Sequence, residues 1–248
     1  IVIHLAAQAG VRYSIEKPRV YLDSNITGTY NIIEISKKLN VKHLIMASSS
    51  SVYGANKKIP FKEIDKTETQ LSIYAATKKS NESMAHSYSN IWKMPITMLR
   101  FFTVYGPWGR PDMALYKFTK NILEGKKIEL FNKGNHVRDF SYIDDVVYYI
   151  ISIVNKPHPK SLQIPFRVLN VGNNKPERLM NYVKLIEKYL NKKAKIKNLK
   201  LQKGDVFKTH ASMKNTWKLV KRKKTTDIKV GIQKFVEWYK KYNDLKRI

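Results

Sequence analysis

Three short apolar runs separated by long helical patterns constrain this chain more than any other feature. Ile1-Val2-Ile3-His4-Leu5, the stretch His43 to Ala47 and the stretch Ile96 to Phe101 are near-continuous rather than alternating. Such runs suit parallel strands covered on both faces. Between the first two, a helical pattern runs from about Pro18 to Leu39, with apolar positions at Leu22, Ile26, Ile33 and Ile35 and a cap at Asn40. A second runs from about Ile73 to Trp92. Strand–helix–strand steps of this length make right-handed parallel crossovers, so the expected fold is α/β, a doubly wound parallel sheet.

The rest of the chain is less regular. Ala6 to Arg12 reads as a loop of small residues, and residues 55–71, polar and broken by Pro60, as a surface loop. Beyond Thr103 the pattern loosens into a Gly/Pro loop from Val104 to Asp112. Further on, the spacing predicts a helix over Ala114–Leu123, a strand over Ile128–Phe131, an extended segment over Val137–Tyr142, a helix over Asp144–Val154 and a strand over Arg167–Val171. Helices near 177–191 and 229–242, joined by lysine-rich connections, complete the expectation.

Bulk properties exclude several classes. There are no cysteines, which removes disulfides and thiolate zinc sites, and the 6 histidines show no metal-ligand spacing. His4 reads as a strand-end side chain. No run approaches the roughly 20 apolar residues that span a bilayer, and nothing at the start resembles a signal peptide, so a cytoplasmic protein without a membrane partner is expected. The net charge of +28, concentrated in the second half, admits a nucleic-acid partner. The lysines are scattered and no basic-aromatic motif organises them, so solvated faces and an anionic small substrate explain the charge better.

One constellation carries chemistry. A serine-rich turn, Ser48-Ser49-Ser50-Ser51-Val52-Tyr53-Gly54, follows an apolar run, and Tyr74-Ala75-Ala76-Thr77-Lys78 follows it. A spacing of four puts Tyr74 and Lys78 on one helix face. A cation there is expected to lower the tyrosine pKa, and a nearby hydroxyl to share its proton. This equipment removes a proton from a hydroxyl whose carbon loses hydride.

With the strand after it and Arg100-Phe101-Phe102-Thr103-Val104-Tyr105-Gly106-Pro107 next, the chain resembles the extended short-chain dehydrogenase/reductases, the NAD-dependent nucleotide-sugar epimerases and dehydratases. The likeness runs from His4-Leu5-Ala6-Ala7 through Arg138-Asp139-Phe140 to Gly204-Asp205-Val206. It implies NAD as cofactor, a UDP-sugar as substrate and, for the full-length enzyme, a homodimer built on the two long helices. Dehydratases of the family place an Asp-Glu pair before Val-Tyr-Gly and decarboxylases a Glu, whereas this chain has Ser50-Ser51. Its turn lacks the extra acid, which favours epimerisation, where one group takes and returns the same proton.

Two stretches look like the UDP-glucuronate 4-epimerase branch: Ala9-Gly10-Val11-Arg12-Tyr13-Ser14, and Phe102 through Arg110-Pro111-Asp112-Met113-Ala114. The resemblance assigns catalysis to Tyr74, Lys78, Ser49 and Ser50. It assigns the cofactor to Ala6, Ala7, Gln8, Asn25, Tyr74, Lys78 and Phe101, with Asn25 either supporting the active-site water and lysine or serving as a capping or packing amide. Substrate falls to Ser50, Ser51, Thr103, Arg110, Arg138 and Asp205: the first four for a uronate or its neighbours, Arg138 for the diphosphate and Asp205 for the uridine ribose. Thr103 also reads as a strand-end residue, Arg110 as a phosphate ligand or a partner of Asp112, and Arg12 as facing either the site or another subunit. UDP-glucose or an N-acetylhexosaminuronate is the nearest alternative substrate.

By the same resemblance Ile1–Leu5 is the fourth strand of a partial NAD-binding Rossmann sheet whose first strands are missing. No Gly-x-x-Gly-x-x-Gly turn is present to cradle the pyrophosphate. A fragment of a longer enzyme is therefore expected, with residues 1–106 in the Rossmann domain and 107–248 mainly a smaller C-terminal α/β substrate lobe, segments near 137–171 returning to the sheet. Alone it would bind NAD poorly, be inactive, and expose a sheet edge.

Overall fold

A computed structural model describes residues 1–201 and 206–244. In chain order it contains β1 (Val2–His4), α1 (Val11–Glu16), α2 (Pro18–Tyr21), a π-helical turn (Leu22–Thr27), α3 (Gly28–Lys38), β2 (Leu44–Ser49), a 3₁₀ turn (Ser50–Tyr53) and α4 (Ile73–Trp92). There follow β3 (Ile96–Phe101), β4 (Thr103–Tyr105), α5 (Ala114–Leu123), β5 (Lys127–Phe131), a 3₁₀ turn (Asn132–Gly134), β6 (Val137–Tyr142) and α6 (Ile143–Val154). The chain continues with β7 (Phe166–Val171), β8 (Pro176–Arg178), α7 (Leu179–Leu190), β9 (Lys195–Leu199), α8 (Lys214–Leu219) and α9 (Ile228–Asp244).

β1, β2, β3 and β7 form one parallel sheet in that order. Its residues divide between two helical layers by the two-residue period of a strand. Leu44, Met46, Ile96 and Met98 pack with Ile33 of α3 and Ala85 of α4. Ile45, Leu99, Leu169 and Val171 pack with Val146, Tyr149, Ile150 and Ile153 of α6 on the opposite side. Helices on both faces explain why these strands read as unbroken apolar runs. The architecture is the expected α/β doubly wound sheet. β1 stands at its edge, and Ile1, Ile3 and Leu5 are exposed there.

Beyond the sheet, β4, β6 and β8 form a three-stranded sheet and β5 pairs with β9. α5, α7 and α9 enclose a separate core with them around Leu115, Phe118, Ile128, Phe140, Tyr182, Ile186 and Phe235. Of the segments expected to return to the main sheet, β7 joins it and α6 covers it, whereas β6 pairs with β4 instead.

Several local expectations need correcting. A short helix, α1, begins in the supposed small-residue loop. The long first helix carries a π turn, and its buried stripe is Tyr21, Asn25, Thr29, Ile33 and Ser36. Leu22 and Ile35 instead face outward at 47% and 52% exposure. Hydrogen bonds let polar Asn25 and Thr29 take inward positions that apolarity alone does not mark. The loop around Pro60 is not wholly superficial, because Phe61 stacks on Tyr53 and is buried. β4 occupies part of the expected Gly/Pro loop, and β9 and α8 lie within the lysine-rich connections.

Candidate active site at the strand ends

The carboxyl ends of β2 and β3 converge on the first turns of α4, the place where open α/β sheets hold ligands. Ser72 caps α4, its Oγ accepting the Ala75 N–H at 3.1 Å, which sets Tyr74 in the first turn. There the positive end of the helix dipole favours an anion. One turn on, Lys78 is buried and its Nζ donates to the Ala47 carbonyl at 2.9 Å. In the turn after β2, Ser49 Oγ accepts the Ser51 N–H at 3.1 Å and hydrogen-bonds the Tyr74 hydroxyl. Sequence spacing and geometry agree on this trio.

The electrostatics differ from expectation. Burial pushes the Tyr74 pKa up, opposed by the Ser49 hydrogen bond and by the Arg110 charge; Lys78 makes no resolved contribution. Burial pulls Lys78 down to about 8. Lys78 Nζ donates to Ala47, at the end of the strand, and the Arg110 charge favours the Tyr74 phenolate against burial.

Asn25, placed by the π turn, staples the loop before α1. Its Oδ1 accepts the Gln8 N–H at 2.8 Å, and its Nδ2 donates to the Gln8 carbonyl at 3.0 Å and to Thr77 Oγ1 at 3.0 Å. Thr77 Oγ1 in turn donates to the Tyr74 carbonyl at 2.9 Å. Asn25 therefore ties the Gln8 backbone to the tyrosine helix, its hydrogen bonds going to Gln8 and Thr77. Phe101, at the end of β3, packs against the core beneath the strand ends.

Beneath the serine turn lies a network that the sequence reading missed. Ser48 Oγ donates to Glu82 Oε1 at 2.6 Å. Arg100 grips the same carboxylate through Nε and Nη2, both at 2.9 Å. It also lies 4.7 Å from the Tyr53 ring. Glu82 and Arg100 are each 3% exposed, and although burial pulls the Arg100 pKa down, Glu82 holds it above its ordinary value. A signal existed: Glu82 continues the four-residue line Tyr74–Lys78–Glu82, and Arg100 is the one charge in an apolar strand.

A cavity of about 170 Å³ opens beside these elements and is lined by Ser50, Ser51, Tyr53, Thr103 and Arg138, among others. It unites four of the six residues assigned to substrate. Arg138 also donates from Nη1 to the Val137 and Phe207 carbonyls. Its neighbour Asp139 is structural: fully buried, it accepts N–H groups of Asn173, Asn174 and Ala211. Arg110 lies outside the cavity and pairs with Asp112, while Arg12 stacks over Phe131 at 4.1 Å. His4, at the end of β1, bonds Thr29 Oγ1. Asp205 lies outside the described residues. Among the described residues, no three His, Asp or Glu side chains gather as a metal site, and no helix is long and apolar enough to cross a membrane.

A doubly wound sheet with a Tyr-x-x-x-Lys helix against a serine hydroxyl defines a class, and comparison with known proteins agrees. The chain belongs to the NAD dependent epimerase/dehydratase family, whose model matches residues 1–172. It is 52% identical to protein CapI of Staphylococcus aureus, over 98% of this chain and 76% of that one. It is 47% identical to UDP-glucuronate 4-epimerase 4 of Arabidopsis thaliana, over 97% of this chain and 58% of that one. The UDP-glucuronic acid 4-epimerase of Bacillus cereus, solved with UDP-glucuronic acid and NAD, superposes with a TM-score of 0.88 at 32% identity, covering 97% of this chain and 76% of that one. Family and site together make the chain an NAD-dependent nucleotide-sugar epimerase, an isomerase.

The residues present fit the nicotinamide end of that cofactor. Lys78 is buried and its Nζ donates to the Ala47 carbonyl, leaving donors for a ribose diol. Ala6 and Ala7, which follow β1, are small and exposed.

Proposed function

We propose that the enzyme interconverts UDP-glucuronate and UDP-galacturonate by inverting C4. NAD, when bound, supplies the acceptor and then the donor of the C4 hydride. Tyr74 takes the 4-hydroxyl proton and returns it, the Ser49 hydroxyl holding the reacting oxygen beside it. Lys78 holds the nicotinamide ribose, and Ala6, Ala7 and Gln8, stapled by Asn25, wall the same pocket. Ser50, Ser51 and Thr103 receive the sugar and its carboxylate, Arg110 binds that carboxylate, and Arg138 binds the diphosphate. Asp205 is assigned to the uridine ribose by resemblance alone.

The observation that carries this reading is the cavity uniting Ser50, Ser51, Thr103 and Arg138 beside the tyrosine helix. Hydroxyls line its serine turn where an eliminating or decarboxylating relative would place an acid. A 4-keto uronate is a β-keto acid prone to lose carbon dioxide, and polar anchors that hold its carboxylate out of the cleavage geometry protect it. A product assay with UDP-glucuronate, UDP-glucose and a UDP-N-acetylhexosaminuronate tests the substrate directly. UDP-galacturonate formed fastest supports the reading, and preference for either other sugar overturns it. Thr103→Ala should weaken UDP-glucuronate binding or release UDP-pentose; neither effect would remove Thr103 from the carboxylate site.

We further infer a homodimer. Val20, Leu22, Tyr30 and Ile35 on the first long helix, with Ile91 and Trp92 on α4, are exposed and suit a four-helix interface with a second copy. Sedimentation at micromolar concentration checks it, and a monomer would refute it.

A further inference from the structure

Arg110 stands at the edge of the centre with its fork already engaged. Nε donates to Asp112 Oδ1 at 3.0 Å and Nη2 to Asp112 Oδ2 at 2.8 Å, the two-point geometry in which a guanidinium takes a carboxylate. Nη2 also reaches Met113 Sδ at 3.5 Å. The pair rests on the Gly10 turn: a β-carbon there would stand 3.6 Å from Asp112 Oδ2, 4.0 Å from Arg110 Nη2 and 3.5 Å from the Tyr21 hydroxyl. The Tyr21 ring meets the Tyr74 ring edge-on at 6.1 Å. Asp112 thus stands at the Gly10 turn together with the Tyr21 hydroxyl, the Tyr21 ring meeting that of Tyr74, and a hexuronate carries its own carboxyl on the carbon next to C4.

We propose that Asp112 is an internal competitor for the substrate carboxylate, occupying the fork of Arg110 in the free enzyme until the carboxylate of a uronate displaces it. The proposal rests on the uronate reading given above. Exchange replaces one carboxylate by another, so the guanidinium stays paired throughout. A neutral hexose offers no replacement and leaves the pair closed. The pair is 43% and 54% exposed, and ion pairs so wetted open at little cost. The backbone is held while this happens. Met113 N–H bonds the Arg110 carbonyl, and the Trp108 ring lies 5.4 Å from Trp238 and 5.5 Å from Tyr242 of α9. Exchange is therefore a side-chain event, with Asp112 turning to solvent.

Calorimetric binding of UDP-glucuronate and UDP-glucose to the NAD-loaded enzyme, native and as D112N, D112A and R110Q, tests this. Either Asp112 variant should improve the preference for UDP-glucuronate by up to about five-fold, since no side-chain charge is left to displace. R110Q should reduce that preference. If R110Q reduces it but neither Asp112 variant raises it, displacement is overturned while Arg110 remains the carboxylate ligand. If R110Q leaves it unaltered, Arg110 does not meet the carboxylate, and exchange fails with that assignment. The separate product assay decides whether the uronate reading itself stands.

Discussion

Two regions of the site handle charge in opposite ways. Under the serine turn, Glu82 and Arg100 form a dry ion pair that also binds Ser48 and so joins β2, β3 and α4. At the rim, Arg110 and Asp112 form a wet pair two residues apart in one loop. The buried pair cannot rearrange, because separating it would strand a charge without solvent. The exposed pair can, because water replaces whatever it loses. The first arrangement suits the part that must hold Ser49 against Tyr74 without drift, and the second suits the part that must let a substrate in.

That contrast can be broken at several points. Glu82→Ala should destabilise the fold by about 3–5 kcal/mol, by stranding Arg100. Urea titration measures it, and a loss below 1 kcal/mol would put both pairs in the same class. Tyr74→Phe should lower kcat by about 10²–10⁴-fold with its circular dichroism spectrum intact, since it removes the proton carrier alone. A near-normal kcat would move the chemistry elsewhere.

Lys78 gives the contrast a pH dependence. Its pKa drops from 10.5 unfolded to about 8 folded, so below pH 8 both states are charged and the burial cost is fully present. Between pH 8 and 10.5 the folded state sheds the proton first, and stability rises with pH relative to a chain lacking the group. Lys78→Met should therefore gain most over the native enzyme below pH 8, the gain fading toward pH 10.5; paired thermal melts across that range would reveal a flat or reversed difference. The smallest effect belongs to the rim, where Asp112→Ala should change unfolding free energy by no more than about 1 kcal/mol.

Local pattern made much of this legible. α4, β3 and α5 begin and end where periodicity and capping place them, because Ser72, Pro95 and the Glu124-Gly125 stop act within a few residues of themselves. The proximity of Tyr74 to Lys78 follows from helix geometry alone. Less visible were β4, β8 and β9, three to five residues long, whose strand character comes from partners far along the chain. The π turn escaped notice too, since the residue it turns inward is a polar Asn25 satisfied by Gln8 and Thr77.

The sequence by itself determined the class of chemistry: a tyrosine and lysine one turn apart, a hydroxyl turn without an acid, and strands apolar enough to be covered on both faces. Tertiary structure decided how those groups are charged. Whether Lys78 or Arg110 acts on Tyr74, whether Glu82 is a solvated acid or a buried strut, and which carboxylate Arg110 holds depend on neighbours that meet only after the chain folds. Electrostatic energy depends on distance and on exclusion of water, and neither is written in residue spacing beyond a single helical turn.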